Sequence, residues 1–253
     1  MHALTRWWHR LSRGAVRHAW GLAPQGGAWV LAGLSRQSAD LVKVQSLVTW
    51  SPSVSNDASD LNGLSQHLHQ QGHAGSGSHQ RLNMALPSAA VREGYLDFPV
   101  DQPPEDWQYE VQLEVAQAFQ LATHEVNFDF EAAPYCDGLV QRVHWVGCTQ
   151  AQMLAFKNCT RAAGWRLAAV EIEKQAAQRG VRALKGGAVS LLTQAPQDWQ
   201  FHLDPPAGVR PADDRAEPFG DSEEAIQEAL AQIMLTPGGA RLVGAGLALR
   251  AWQ

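Results

Sequence analysis

The sequence predicts an α/β protein, and three observations carry that prediction. Across residues 82–184, short apolar runs with strand periodicity alternate with segments whose apolar residues recur at helical spacing. The boundaries hold residues that start or stop such elements: Pro103-Pro104-Glu105-Asp106 and Thr149-Gln150-Ala151-Gln152 each open a helix, and Gly164 ends one. Strand, helix, strand, helix at the end of this stretch implies a right-handed crossover and parallel pairing.

In chain order, residues 1–21 form a basic amphipathic segment. At about 100° per residue, Arg6, Arg10, Arg13 and Arg17 share one sector, and Leu4, Trp7, Leu11 and Ala15 lie opposite. Such a segment could lie on an anionic membrane surface; the plainer reading is a surface helix packing its apolar stripe on the domain, or a poorly ordered extension. Residues 1–27 therefore stand apart from a single domain over 28–253. Residues 28–34 and 41–48 read as two strands of a hairpin joined by the polar turn Ser35-Arg36-Gln37-Ser38-Ala39-Asp40.

A Ser/Pro/Asp-rich loop follows, then a helix over 60–71 with Leu61, Leu64 and Leu68 on one face and Gly72 as its stop. His67, His69, His73 and His79 gather near the Gly/Ser-rich segment 73–79, but their spacing matches no zinc pattern and no cysteine accompanies them. No metal site is expected. Strands follow at 81–86 and 91–98, then an acidic helix over 105–119 carrying Val111, Val115, Ala118 and Phe119.

Residues 125–131 alternate, placing Val126, Phe128 and Phe130 on one strand face. Residues 139–147 are too uniformly apolar for an edge and predict a central strand. A helix over 150–163, a strand over 165–173 and a helix over 174–184 complete this region. In the last third, 188–193 and 199–203 read as short strands, 205–218 as Pro/Asp-rich loop, 221–235 as a helix and 240–252 as the closing helix. Gly238-Gly239 reads as a helix–helix turn.

The 253 residues are 45% hydrophobic and 18% charged, an ordinary globular composition. A net charge of −5 gives no general attraction to nucleic acid, so no nucleic-acid partner is expected. Cys136, Cys148 and Cys159 are odd in number and lack paired metal spacing, which fits a reducing compartment and predicts a cytoplasmic protein. No apolar run is long enough to span a bilayer.

One ordered series of segments resembles a known family. Ala85-Leu86-Pro87-Ser88, the acidic helix, Glu125-Val126-Asn127-Phe128-Asp129-Phe130-Glu131, an apolar strand and a helix ending Ala162-Ala163-Gly164-Trp165 come first. Residues 168–180 follow, and Gly244-Ala245-Gly246-Leu247-Ala248-Leu249-Arg250-Ala251-Trp252 closes the chain. The series resembles the PilM/HofM family, actin-like cytoplasmic proteins of type IV pilus assembly. The resemblance implies a truncated actin-like (ribonuclease H-like) fold, with an inserted small α/β subdomain at about 88–184 and a shortened C-terminal part at 185–253.

The same resemblance sets the functional expectations. Actin-like ATPases bind phosphate on a first turn that needs an Asp for metal-bound water and a Gly for close backbone approach. In the hairpin 28–48 no Asp-x-Gly occurs, and Lys43 alone matches the family's lysine, as a surviving phosphate contact or as a solvent-facing strand residue. Glu171, Glu173 and Asp129 are read as solvated acids at strand ends, without a glycine-rich cradle. No catalytic residue and no cofactor is therefore expected.

PilM-like proteins hold the cytoplasmic N-terminal peptide of the inner-membrane protein PilN. By that resemblance the expected function is a non-catalytic adaptor at the inner membrane, in pili that also serve DNA uptake in competent bacteria. The expected peptide groove lies beside the acidic helix, with Glu110 and Glu114 supplying charge and Tyr95, Phe98 and Phe119 apolar contact. Other pilus assembly proteins are possible further partners, and Arg6, Arg10, Arg13 and Arg17 a possible membrane contact. The alternatives are an actin-like ATPase binding ATP and magnesium, and an adaptor of the related type II secretion system.

Overall fold

The computed structural model describes residues 16–50, 61–72, 80–136, 139–203 and 222–252. The chain forms two compact units. One comprises residues 1–86 with 160–253, and the other, inserted between them, is Pro87–Cys159.

The first unit is built on a six-stranded sheet. Its strands are β1 (His18–Gln25), β2 (Ala28–Arg36), β3 (Leu41–Trp50), β4 (Arg81–Leu86), β8 (Arg166–Ile172) and β9 (Gln200–His202), in the order β8-β4-β1-β2-β3-β9. β1, β2 and β3 form an antiparallel meander, β9 adds antiparallel to β3, and β4 and β8 add parallel on the other side of β1. The inserted unit lies within the connection from β4 to β8, as parallel strands require a long crossover.

Helix α1 (Leu61–Gly72) covers one sheet face. The Trp165 indole N–H donates to the Leu68 carbonyl at 2.8 Å, and Trp165 meets Trp20 edge to face. Trp20 in turn lies over Gly33, its cross-strand partner on β2. Alternation along β1 turns Gly21 to the opposite face, toward helix α7 (Pro237–Leu249). There α7 packs on β1, β2 and helix α4 (Glu173–Ala183), beside α5 (Gly187–Thr193) and α6 (Glu223–Met234). Leu242, Val243, Leu247 and Leu249 of α7 form a buried core with Val181, Leu191, Trp199 and Phe201.

Two polar anchors fix the closing helix. The Asn83 amide donates to the Leu247 carbonyl at 2.9 Å. Arg179 donates to the Gly246 carbonyl at 3.0 Å and also grips Glu171 of β8 with both terminal nitrogens. Arg250 reaches the same carboxylate at 2.9 Å.

Several sequence expectations change. His18–Gln25, assigned above to an N-terminal segment over 1–27, is strand β1, because Ala19, Leu22 and Ala23 are buried in the sheet. Arg6, Arg10 and Arg13 lie outside the described residues, and Arg17 immediately precedes β1. The inserted unit ends near Cys159 instead of 184, because β8 pairs with β4 of the large sheet. β7 (Val140–Thr149) consequently does not pair parallel with β8; it runs antiparallel to β5 (Arg92–Pro99) and β6 (Val126–Cys136).

Residues 188–193, expected as a strand, are within helix α5. Gly186 at φ 83° enters the turn, and Ala188 and Leu191, three residues apart, are buried. Glu171 is not a solvated acid, since its side chain is only 3% exposed. Other signals acted as read. Thr149 and Gln152 form a reciprocal capping box at the start of α3 (Gln150–Ala162). Gly238 and Gly239, expected as the helix–helix turn, instead lie in the first turn of α7: Pro237 starts that helix and Thr236 caps it, so the turn after α6 is Leu235-Thr236.

Candidate partner-binding surface

The inserted unit places strands β5 (Arg92–Pro99), β7 and β6 (Val126–Cys136) in the order β5-β7-β6 under helix α2 (Pro104–Phe119). As expected from its apolar run, β7 is central. The helix starts as its sequence directs, with Pro104 in the first turn beside Glu105 and Asp106, where the peptide dipole favours acids.

Trp107, Val111 and Val115, spaced by four, are the buried face of α2. They pack on Phe98, Val143 and Trp145 of the sheet, and the Phe98 ring stacks on Trp107 with centroids 5.3 Å apart. A side chain at Gly147 would place its β-carbon 2.5 Å from Val115, so that glycine sets how closely the helix approaches β7.

Away from the sheet, α2 exposes Tyr109, Leu113 and Glu110. The Gln102 amide donates to the Glu110 carboxylate at 3.1 Å. The sheet's other face carries a charged array. Glu93, Tyr95 and Asp97 alternate on β5, Arg142 and His144 on β7, and Asp129 and Glu131 on β6. Arg142 holds Asp97 through two hydrogen bonds of 2.7 and 2.9 Å, which lower the Asp97 pKa below the usual carboxylate range. His144 Nε2 lies 3.4 Å from Glu93, and the Tyr95 ring is 5.0 Å from the imidazole.

The five residues expected to form one groove are divided by the sheet. Phe98 is a core residue, 2% exposed. Phe119, half-buried at the end of α2, packs at the edge of the same core, with the Arg92 guanidinium 5.8 Å from its ring centre. Glu110 is exposed and Glu114 half-buried on α2, while Tyr95, 62% exposed, stands on the open face of the sheet. Tyr95 is therefore not brought together with Glu110 and Glu114. Asp97, Arg142 and His144 were missed, although the alternation Glu93, Tyr95, Asp97 marks that face in the sequence.

The first hairpin also differs from the expectation. β1 precedes the pair read from sequence, so the first hairpin turn among the described residues is Gln25-Gly26-Gly27-Ala28, with both glycines at positive φ. From His18 to Arg36 the chain contains no Asp, Glu or Lys. Lys43 is exposed on β3, across from Ser35 and Gln200. Among the described residues no group of His, Cys, Asp and Glu is arranged to hold a metal ion. His67 stacks on Trp50 with centroids 5.5 Å apart, and His73 and His79 lie outside the described residues. No described helix is long and apolar enough to cross a membrane.

No protein-family model and no curated sequence matches this chain. Among solved structures, it matches a chain of the PilM-PilN type IV pilus biogenesis complex with TM-score 0.52 and 17% identity, over 66% of this chain and 51% of that one. The fold is PilM-like. It also matches the cytoplasmic domain of EpsL, an inner-membrane component of the type II secretion system of Vibrio cholerae, with TM-score 0.44 and 12% identity, over 63% of this chain and 58% of that one. This chain spans about half the length of the chain it matches in the PilM-PilN complex.

Proposed function

We propose that this protein is a non-catalytic cytoplasmic adaptor of type IV pilus assembly, holding the N-terminal cytoplasmic peptide of a PilN-like inner-membrane protein. Such attachment would keep it at the inner membrane. The observation that carries the reading is the combination of a PilM-like fold with a first hairpin turn lacking any carboxylate or lysine. A nucleotide hydrolase needs a carboxylate for metal or water and charge on the phosphates, and this turn supplies neither. What the fold retains is an inserted unit whose exposed surface combines acids with Tyr95, Tyr109 and Leu113.

Two titrations test the proposal. ATP with magnesium should leave the thermal unfolding temperature unchanged, because a ligand stabilises only a state that binds it. A saturable rise would favour the actin-like ATPase instead. The cytoplasmic N-terminal peptide of a PilN-like protein encoded beside this gene should raise the unfolding temperature and bind saturably. No binding of that peptide would remove the partner assignment while leaving the fold intact.

A further inference from the structure

Strand β6 is an outer strand: among the described residues, β7 is its only strand neighbour. In such a strand every second residue turns its backbone N–H and C=O away from the sheet, which makes the edge a template for another strand. The two faces of this edge differ in chemistry. Phe128 and Phe130 lie toward α2, half-buried at the rim of the core, their rings stacked with centroids 6.3 Å apart. Asp129 and Glu131 lie on the open face, exposed, across from Val146 and His144 of β7. The Phe130 N–H donates to the Asp129 carboxylate at 2.9 Å, so an exposed side chain occupies this donor.

We propose that the β6 edge accepts an extended segment of a partner protein in which apolar and basic residues alternate. Side chains of an added strand that fall beside Phe128 and Phe130 would cover the half-buried rings. Those that fall beside Asp129 and Glu131 would meet two carboxylates, and Lys or Arg there makes charge-assisted pairs. Pairing of β6 with a second copy of itself is opposed by the same two acids, which would face like charge. The edge thus favours a basic strand over self-association. Main-chain bonds supply affinity in this mode, and the alternating side chains supply selectivity.

This rests on the reading of the chain as a protein-binding module and adds the place and the chemistry. The probe is a synthetic octapeptide of alternating valine and lysine, added to the full-length protein and followed by amide chemical shifts and calorimetry. Expected are shifts concentrated on residues 126–133 and saturable binding with a measurable heat. Asp129→Lys with Glu131→Lys should weaken binding about tenfold or more, and a valine–glutamate peptide should restore it to that variant.

Equal binding to the charge-reversed protein overturns the proposal. So does undiminished binding of a peptide N-methylated at alternate residues, or dimerisation of the free protein through β6. If the octapeptide fails while the PilN-like peptide binds, this inference falls and the adaptor reading stands. Octapeptide binding at β6 with no response to the PilN-like peptide gives the converse.

Discussion

Gly246 of α7 lies against Ala176 of α4 so closely that an added β-carbon would come within 1.8 Å of the Ala176 carbonyl oxygen. A side chain at Gly21 would likewise meet the Gly244 carbonyl at 2.1 Å, so α7 is closely packed on both the helix and the sheet. In an open helix interior, Gly→Ala gains about 1 kcal/mol. Here the sign reverses. Gly246→Ala must push two backbones apart and should lower stability by about 1–3 kcal/mol or more. An unchanged or raised denaturant midpoint would show that this contact is looser than described.

The ion cluster beneath the same helix is asymmetric. Glu171 is buried, Arg179 is nearly so, and Arg250 is almost half exposed. Breaking a buried pair leaves a charge without its partner, so Arg179→Met should cost about 3 kcal/mol. Arg250→Met removes the more solvated partner and should cost clearly less. Urea unfolding of both variants gives the ranking, and equal losses would mean that Arg179 has no privileged role.

How much of this was legible in sequence follows from which forces are local. Capping at Thr149, the proline start of α2 and the central position of β7 all depend on neighbours in sequence, and all were read from it. β1 was not, because the arginines preceding it extend a helical pattern, and only pairing with β2 and β4 reveals the strand. The end of the inserted unit was misplaced for the same reason: β8 finds its partner some eighty residues earlier in the chain. Among the groove residues, polarity alone separated Glu110 from the core, whereas Phe98 and Tyr95 differ by strand parity. That parity divides them by face once the position of α2 is known.

Asp97 and Arg142 provide a test of the open face by pH. Because hydrogen bonds from Arg142 lower the Asp97 pKa, the carboxylate favours the folded state above its unfolded pKa. The contribution is lost as pH falls through the lowered folded value. Both groups are exposed, so the stability effect is small, but the titration itself is measurable. In Arg142→Ala the Asp97 carboxyl midpoint, followed by NMR, should move up toward the ordinary range. No movement would mean that the pair does not persist in solution.

Burial pushes the Cys159 thiol up to about 11 and raises that of Cys148 as well. Since the thiolate is the reactive form, neither should be modified quickly in the native protein. With Cys136→Ser removing the third thiol, a thiol reagent at pH 8 should report almost nothing before denaturation and two thiols after it. Rapid native labelling of either would indicate local opening of its surroundings.

Tyr95 and Phe98 give the sharpest separation between holding the inserted unit together and presenting a surface. Three residues apart on an alternating strand, they take opposite faces, one against His144 in the open and the other stacked beneath Trp107. Phe98→Ala should lose about 3–5 kcal/mol, the cost of emptying a large core position. Tyr95→Ala should change stability by no more than about 0.5 kcal/mol, because surface positions away from special features usually do. If the open face takes part in holding a partner, Tyr95→Ala should also weaken binding of the PilN-like peptide, since an exposed aromatic supplies apolar contact area at little entropic cost. Calorimetry on the two purified variants distinguishes the outcomes. A stable Tyr95→Ala protein that binds the peptide as tightly as the parent would exclude this face and leave the outer side of α2, with Tyr109, Leu113 and Glu114, as the surface to probe.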